Sequence, residues 1–351
     1  MGNEKLSKKI FLTYDDVLII PQYSVVLSRN DVDTSVNLVK GIDLKVPLVA
    51  ASMHTVISIE LAVKLWELGG IAQLHQFQSI EKEVSMLKEI KRMEAKVIGV
   101  VGAVHGFMER AKALIENGVD AISIDTPHAH SIYAIDATKK LKKEFPNIPL
   151  IVGTVATKEG IDDLIKAGAD SIKFGVGAGA ACTTRLSAGV GVPQFSAILE
   201  SASILKDSGV TLIADGGIEK SADLSKAIGA GANAVMAGKI FAGTLEAPSE
   251  LIEKDGKKYK VYMGEASQEA KQSRAINDPD YKGKDSDYIE GASGLIPYTG
   301  SLESVVKSFA MGLRSAMSYS GASTIKEFHR KAKFVRITQN GKTENTAHGL
   351  V

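Results

Sequence analysis

The sequence has a single cysteine, Cys182, among its 351 residues. One cysteine cannot form an internal disulfide, which fits a reducing compartment such as the cytoplasm. The chain has little excess charge of either sign, because its formal net charge is +1, and this argues against nucleic acid or an anionic membrane as a partner. It also lacks a bilayer-spanning apolar run and a signal-peptide core at its start. We therefore expect a cytoplasmic protein that binds neither nucleic acid nor membranes.

The sequence also lacks the short motifs of common metal sites. Neither Cys-x-x-Cys nor His-Glu-x-x-His occurs, and no internal repeat is visible beyond alternating strand and helix patterns. Hydrophobic residues make up 44% of the chain and charged residues 24%. This is the composition of an ordinary globular protein, long enough for one large core or two smaller ones.

Apolar strand-like runs alternate with amphipathic helical stretches along most of the chain. Strands that are apolar on both faces and separated by helices indicate a parallel sheet. Eight such strands predict an α/β fold of the closed (β/α)8 type, the TIM barrel. A doubly wound open sheet is the alternative, but it would favour a Gly-x-Gly-x-x-Gly turn where the first strand runs into Ala-Ser-Met-His. The predicted strands are residues 46–52, 71–75, 95–103, 121–126, 148–155, 171–177, 210–217 and 234–239.

Two segments interrupt this alternation. Residues 11–45 precede the first strand and predict an extended arm that closes the bottom of the barrel. Residues 245–300 are polar, charged and rich in turn residues, which predicts a long flap insertion, either a mobile lid or a disordered loop. A final amphipathic helix follows over about residues 302–318. We predict one catalytic barrel domain over residues 1–351, with no regulatory domain.

The glycine-rich stretch GVGAGAACTTR, residues 175–185, follows the sixth predicted strand and contains the cysteine. Alternating glycines let a backbone approach a ligand closely and expose its N–H groups, which suits a phosphate or an oxyanion. A thiol on this loop predicts a nucleophile, although an inert cysteine beside a glycine-rich turn is the alternative. Other polar residues also follow predicted strands, where barrels carry their chemistry; each alone could be an ordinary core or turn residue. They are Ser52, His54, His75, Asp125, His128, His130, Thr154, Asp215 and Lys239.

Several stretches together resemble the inosine monophosphate dehydrogenase / guanosine monophosphate reductase family, over nearly the whole chain. The resemblance implies a barrel enzyme with a purine nucleoside monophosphate as substrate and NADPH or NAD as cofactor. It also implies a homotetramer. The Cys-Thr-Thr-Arg loop followed by Gly-Val-Gly-x-Pro-Gln is the most specific part. The matching stretches are LTYDDVL (12–18), residues 175–185, AGVGVPQ (188–194), ADGGI (214–218) and GLRS (312–315).

The resemblance also assigns residue roles. Cys182 would attack C2 of the purine and form a covalent intermediate, with Thr184 and Glu290 as further catalytic groups. Asp125, Thr126 and His128 would contact the cofactor. Backbone atoms of Gly177, Gly179 and Cys182 are a candidate site for a monovalent cation such as K⁺. The implied substrate-binding residues, with Asp215 on the ribose hydroxyls, are Met53, Gly177, Gly179, Asp215, Gly216, Gly217, Gly238, Lys239, Tyr262 and Gly264.

The sequence departs from the family pattern around this site. Ala180 stands where the family usually has a phosphate-binding serine, and Lys239 stands where serine or glycine is usual. Lys239 could therefore supply a cation to the phosphate instead. The other departures are His54 for aspartate, Thr154 for asparagine and Leu295 for arginine.

The direction of the reaction depends on the flap. In the family's dehydrogenases, an arginine followed by tyrosine on the flap activates water, but here Arg274 is followed by Ala275. The step from His75 to Ala95 also leaves no room for the regulatory repeats that dehydrogenases typically carry there. Both features favour GMP reductase.

Other features are more typical of the dehydrogenases, and some dehydrogenases also lack the regulatory insertion. An IMP dehydrogenase without the regulatory domain is therefore the alternative. A weakly active nucleotide-binding relative is a third interpretation, because several changes accumulate around the site. The dehydrogenase-like features are Ala188, Val192, the tail over residues 335–338, Glu344 and His348.

Overall fold

The computed structural model describes residues 6–206, 208–278 and 288–345. Two short 3-10 helices lie at Tyr14–Asp16 and Arg29–Asp31. The strands are β1 (Val17–Ile19), β2 (Val36–Val39), β3 (Ile42–Leu44), β4 (Leu48–Ala50), β5 (Ile71–Gln73), β6 (Val97–Val101), β7 (Ala121–Asp125), β8 (Leu150–Val155), β9 (Ser171–Phe174), β10 (Thr211–Asp215), β11 (Ala234–Ala237), β12 (Leu251–Lys254), β13 (Lys257–Met263), β14 (Ser293–Pro297) and β15 (Phe334–Arg336). The helices are α1 (Ile59–Glu67), α2 (Ile80–Arg92), α3 (Phe107–Glu116), α4 (Ile132–Glu144), α5 (Lys158–Ala167), α6 (Thr184–Ser187), α7 (Gln194–Leu205), α8 (Ser221–Gly229), α9 (Lys239–Ala242), α10 (Gln268–Asn277), α11 (Leu302–Tyr319), α12 (Ile325–Lys331) and α13 (Gln339–Thr343).

Eight parallel strands close into a barrel in the order β4 to β11, with β11 pairing back to β4. The predicted (β/α)8 barrel is therefore confirmed, and all eight predicted strands belong to it. The observed strands are mostly shorter than predicted at their carboxyl ends, because the chain leaves the ladder there. These strand ends carry the polar residues described below.

The N-terminal arm closes the bottom of the barrel, as predicted. Strands β2 and β3 form an antiparallel hairpin whose Leu38, Ile42 and Leu44 are buried against the apolar side chains at the amino-terminal ends of the barrel strands. The hydroxyl of Thr211 on β10 donates to the Leu38 carbonyl at 2.6 Å and fixes the hairpin to the barrel.

The insertion over residues 245–300 contains more regular structure than the sequence suggested. Strands β12, β13 and β14 form an antiparallel sheet, and α10 lies between β13 and β14. The β12–β13 turn contains Asp255 and Gly256, both at positive φ (52° and 68°). Asp-Gly is a strong hairpin signal, so the polar composition was misread as an irregular loop. Residues 279–287 of the predicted flap, and His348, lie outside the described residues.

Strand β5 leads into α2 within a few residues, so the chain makes no excursion where the regulatory repeats of dehydrogenases would begin. Among the described residues, no helix is both long enough and apolar enough to cross a membrane.

Candidate active site

The glycine-rich loop after β9 packs backbone against backbone on the turn after β10. Gly175 has φ 146°, and a Cβ there would lie 2.2 Å from the Asp215 carbonyl oxygen. Gly216 has φ 94°, and a Cβ there would lie 2.8 Å from the Gly179 backbone nitrogen. Only glycine fits both positions, because side chains would clash and the φ values are unfavourable for other residues. The loop and the Asp-Gly-Gly turn therefore form one rigid cradle.

The inserted segment after α10 holds the cysteine loop from the other side. The Thr183 N–H donates to the Glu290 carbonyl, and the Ala292 N–H donates to the Ala181 carbonyl, both at 2.9 Å. Cys182 forms an isolated antiparallel bridge with Gly291. These bonds fix the position of Glu290 relative to the thiol.

The three predicted catalytic residues come together. Cys182 is exposed at the barrel mouth, and its Sγ lies 3.2 Å from Thr184 Oγ1. The Thr184 hydroxyl donates to Glu290 Oε2, also at 3.2 Å. A thiol, a hydroxyl and a carboxyl group thus form a continuous chain along which a proton can move.

Asp215 lies at the carboxyl end of β10, and its side chain is partly buried at the mouth. Burial raises the pKa of its carboxyl, Lys173 opposes the rise and Asp125 adds to it, and together they bring the pKa to about 6. A carboxylate here can accept two hydroxyl groups, as expected for the ribose. Gly217 follows at φ 77°, against the ring of Tyr14.

Four predicted substrate-binding residues meet at the edge of this cradle. The Tyr262 hydroxyl lies 3.5 Å from Met53 Sδ, and a Cβ on Gly238 would lie 2.6 Å from the same hydroxyl. A Cβ on Gly264 would lie 2.8 Å from the Ala181 carbonyl. Burial raises the pKa of Tyr262 well above its ordinary value, so the hydroxyl stays protonated and can donate.

Lys239, expected at the phosphate, is engaged with a neighbouring carboxylate. Its Nζ donates to Glu219 Oε1 at 2.8 Å, and both side chains are exposed. Glu219 follows the Asp-Gly-Gly turn, so the cation lies beside the loop expected to hold the phosphate. Ala180 is exposed and carries no polar group.

Asp125, expected at the cofactor, ends β7 and is held by two groups. Lys173 Nζ lies 2.5 Å from Asp125 Oδ1, and the Ser52 hydroxyl donates to Oδ2 at 2.9 Å. Lys173 is fully buried on β9. Asp125 is therefore fixed at the barrel mouth as a negatively charged acceptor, which fits a cofactor's hydroxyl groups.

Thr126 follows Asp125, and its backbone is bonded to the neighbouring β8 through Gly153 and Thr154. His128 is exposed, and its ring lies edge-on to His130. His130 Nε2 lies 3.2 Å from Asp163 on α5. The structure thus places Asp125 and Thr126 together, whereas His128 makes its ring contact with a residue tied to the outer helices.

Two other residues that depart from the family pattern, His54 and Leu295, lie in different places. His54 Nε2 lies 3.4 Å from Met263 Sδ, and the ring packs edge-on to His75. Burial, followed by repulsion from His54, lowers the pKa of His75 to about 3, so this imidazole is neutral. Leu295 is exposed on β14, opposite Val261.

Two ionisable groups at the mouth were missed by the sequence analysis. Lys173 was interpreted only as part of a buried strand. The signal that could have identified it was the presence of a lysine within an apolar run. Glu265 follows Gly264 directly, and burial raises the pKa of its carboxyl, with Asp125 adding to the effect. Among the described residues, no group of three or more His, Cys, Asp or Glu side chains is arranged to hold a metal ion.

Comparisons with known proteins agree with this geometry. A family model described as "IMP dehydrogenase / GMP reductase domain" matches residues 11–348. The chain is 36% identical to the inosine-5'-monophosphate dehydrogenase of Cryptosporidium parvum, with 100% of this chain and 97% of the relative covered. It is 32% identical to the GMP reductase of Leishmania donovani, with 97% of each covered. The GMP reductase of Trypanosoma brucei, solved in complex with guanosine 5'-monophosphate, superposes with a TM-score of 0.93 at 31% identity, with 100% of both chains covered.

Fold and site together define a (β/α)8 barrel enzyme with an exposed cysteine at the carboxyl ends of its strands. The chain belongs to the IMP dehydrogenase / GMP reductase family. Members of this family are oxidoreductases that act on purine nucleotides with a nicotinamide cofactor. Both activities occur among the relatives, so membership alone leaves the direction of the reaction open.

Proposed function

We propose that this protein is a GMP reductase that converts GMP and NADPH into IMP, ammonia and NADP⁺. The observation that carries the proposal is the environment of Arg274. Its guanidinium lies over the ring of Phe77, 4.7 Å from the centroid, and its Nε lies 3.6 Å from Asp278 Oδ2. Because Ala275 follows it and the insertion contains no Arg-Tyr pair, the flap lacks the group that would activate water.

The proposed reaction proceeds in steps that use the residues at the barrel mouth one after another. The Cys182 thiolate adds to C2 of GMP, and the amino group on C2 leaves as ammonia after it accepts a proton. The cofactor, when bound, supplies a hydride to C2, and the carbon–sulfur bond then breaks to release IMP and the thiolate. Overall, GMP, NADPH and two protons give IMP, ammonium and NADP⁺. The Thr184–Glu290 pair would move protons at the purine.

The substrate and cofactor would be held by the groups around this centre. Asp215 would accept the ribose hydroxyls, and the backbones of Gly216, Gly217 and Gly238 would hold the phosphate with the Tyr262 hydroxyl. Asp125 would accept hydroxyl groups of the cofactor, whose other expected contacts are Thr126 and His128. Met53, Gly177, Gly179, Lys239 and Gly264 complete the proposed substrate site.

An IMP dehydrogenase without a regulatory domain is the second candidate. It is favoured by the dehydrogenase-like Val192 and by the identity to the Cryptosporidium enzyme. In that direction the covalent intermediate is oxidised first and then hydrolysed. Hydrolysis needs a base for water, and general-base help typically contributes about 10²–10⁴-fold.

One assay separates the candidates. The purified protein is incubated with GMP and NADPH, or with IMP and NAD, while absorbance of the reduced cofactor is followed and nucleotides are identified by chromatography. We expect NADPH oxidation with formation of IMP, and none from the Cys182→Ala variant. Sustained formation of xanthosine monophosphate from IMP and NAD, without activity on GMP, would establish the dehydrogenase. Nucleotide binding without turnover in either direction would establish the weakly active relative.

Three further expectations accompany this proposal. A monovalent cation such as K⁺ would bind backbone carbonyls of the cysteine loop; the Gly179 carbonyl accepts the Cys182 N–H at 3.0 Å, so the loop is tightly turned there. A homotetramer is expected, which light scattering would measure. The cytoplasm is the expected compartment.

A further inference from the structure

The strand register divides the barrel interior into layers. In a barrel of this type, four side chains from alternate strands share one height. Each residue of a barrel strand has a register partner on the next strand, and a path around the barrel is traced by moving one residue past that partner at every strand. A path that starts at Gln73 returns to Gln73 after the eight strands. This path places one layer on the alternate strands β5, β7, β9 and β11. Its members are Gln73, Ser123, Lys173 and Met236.

This central layer is polar, although the layer beneath it is apolar. The layer beneath consists of Val49, Ile98, Ile151 and Ile213, which all belong to one buried hydrophobic cluster. In the central layer, Gln73, Ser123 and Lys173 have no exposed surface. Bulky branched residues usually fill such layers, so three polar side chains here need hydrogen-bonding partners.

Those partners are not supplied by the described part of the chain. Gln73 Nε2 and Oε1 and Ser123 Oγ have no hydrogen-bond partner among the described residues. Leaving a buried polar group unsatisfied costs about 1–3 kcal/mol. Three such atoms at one height would therefore remove a large share of the marginal stability of a folded domain.

Lys173 connects this layer to the mouth of the barrel. Its ammonium group has three N–H donors, and Asp125 Oδ1 is the carboxylate oxygen beside it, at 2.5 Å. Lys173 Nζ is buried and forms no regular hydrogen bond among the described residues, and Lys173 also lowers the pKa of the Asp215 and Glu265 carboxyls. Gly153 on β8 packs against Lys173 itself, because a Cβ there would lie 2.5 Å from Lys173 Cβ.

We propose that the central layer binds a buried cluster of ordered water, and that Gln73 and Ser123 use this water to hold Lys173 against Asp125. A buried water needs two to four polar partners. The amide donates and accepts, the hydroxyl donates and accepts, and the ammonium donates. Gln73 and Ser123 are then positioning residues that act through Lys173. The expected effect of Gln73 and Ser123 on cofactor binding rests on the proposed role of Asp125. The presence of buried water in the central layer does not depend on that role.

A high-resolution crystal structure of the intact protein tests the water site without any turnover. We expect density for water within hydrogen-bond distance of the Gln73 amide and Ser123 Oγ. Absence of such density, in a map that shows other buried waters, overturns the proposal.

Variants test the positioning role. Gln73→Met keeps the length of the side chain and removes both polar atoms, and Ser123→Ala removes the hydroxyl. Met236→Leu changes the apolar member of the same layer and is the matched control. We expect each polar variant to raise the KM for the nicotinamide cofactor about ten-fold, or about 1.4 kcal/mol, with the nucleotide KM little changed and the control unaffected. Gln73→Met should also lower the melting temperature.

The opposite results overturn the proposal. If the layer is dry, Gln73→Met removes two unsatisfied polar atoms and the melting temperature rises. An unchanged cofactor KM in both polar variants overturns the positioning role. The assay runs in whichever direction the protein turns over, and calorimetric binding of NADPH replaces it if neither does. Failure of the reductase proposal therefore does not mask the result.

Discussion

The hydroxyl of Thr184 lies 3.2 Å from the Sγ of Cys182. The same hydroxyl donates to Glu290, which is 106 residues further along the chain. Glu290 reaches this position because the segment before β14 is bonded to the cysteine loop at Ala181 and Thr183. The inserted segment therefore supplies the carboxyl group of this hydrogen-bonded chain, which the barrel alone lacks.

Cys182→Ala should abolish turnover and keep nucleotide binding, because it removes the nucleophile while the cradle of Gly175 and Gly216 remains. Turnover is measured by absorbance of the reduced cofactor and binding by calorimetry. Activity within a few-fold of the parent would show that the thiol is not the nucleophile.

Thr184→Val should lower kcat by about 10²–10⁴-fold, the usual range for lost proton-transfer help, with little change in the affinity for nucleotide. Valine keeps the shape of threonine and removes the hydroxyl that links Cys182 to Glu290. Thr183→Val is the matched control, because the Thr183 hydroxyl contacts Ser187 rather than the thiol. Equal loss in both variants would point to disruption of the loop instead.

The sequence was sufficient to predict the barrel, and it named the three side chains that the structure brings together at Cys182. Apolar runs separated by amphipathic stretches predicted β4 to β11, and the Cys-Thr-Thr-Arg motif indicated the thiol and the hydroxyl together. Glu290 was carried over from the family resemblance, since no local pattern marks it.

The charge relationships across the mouth could not be predicted. Lys173 meets Asp125 only because the closed barrel places their side chains at neighbouring heights, and this depends on strand register. Arg274 was identified by its neighbour Ala275, but its contact with the Phe77 ring depends on how α10 docks onto the loop after β5. Long-range pairs of this kind are set by tertiary packing, which local patterns do not encode.

Nucleoside affinity should depend on the ionisation of Asp215. The pKa of its carboxyl is raised to about 6, so the ionised form that accepts two hydroxyls predominates above that pH and is lost below it. We expect the Kd for guanosine to rise as pH falls from 7 to 5. Guanosine is used because the phosphate of GMP titrates in the same range.

Asp215→Asn is the control for this pH dependence. Its Kd should be higher at pH 7, by the about 1.5–3 kcal/mol of lost charged hydrogen bonds, and should vary little with pH. A parent protein whose guanosine affinity is flat between pH 5 and 7 would contradict the role of Asp215 on the ribose.

Lys239→Ser should weaken GMP more than guanosine, because the cation beside Glu219 is expected to act on the phosphate. Both side chains of the pair are exposed, so we expect a loss of up to about 1 kcal/mol, or about five-fold in Kd. Glu219→Gln is the matched control, since it releases Lys239 and should leave GMP affinity equal or higher. An equal loss for both ligands in Lys239→Ser would exclude the phosphate role.

Stability should depend on a buried ion pair behind the flap. Arg110 Nη1 donates to Glu83 Oε2 at 2.6 Å, Nη2 donates to the Gln78 carbonyl at 2.9 Å, and the guanidinium lies 3.8 Å from Asp278 at the end of α10. Glu83 is fully buried. Arg110→Met should therefore cost about 3–5 kcal/mol, because a buried carboxylate is left without its partner.

The pH dependence of this loss identifies its cause. Burial raises the pKa of Glu83 to about 7, and Arg110 opposes the rise; without Arg110 the folded-state pKa must be higher still. At pH 5, close to the ordinary pKa of glutamate, protonating Glu83 on folding costs little, whereas at pH 8 binding the proton or burying the charge is costly. Urea unfolding should show a larger loss at pH 8 than at pH 5, and Glu83→Gln combined with Arg110→Met should recover part of it. A loss independent of pH would assign the effect to packing of the Arg110 side chain rather than to its charge.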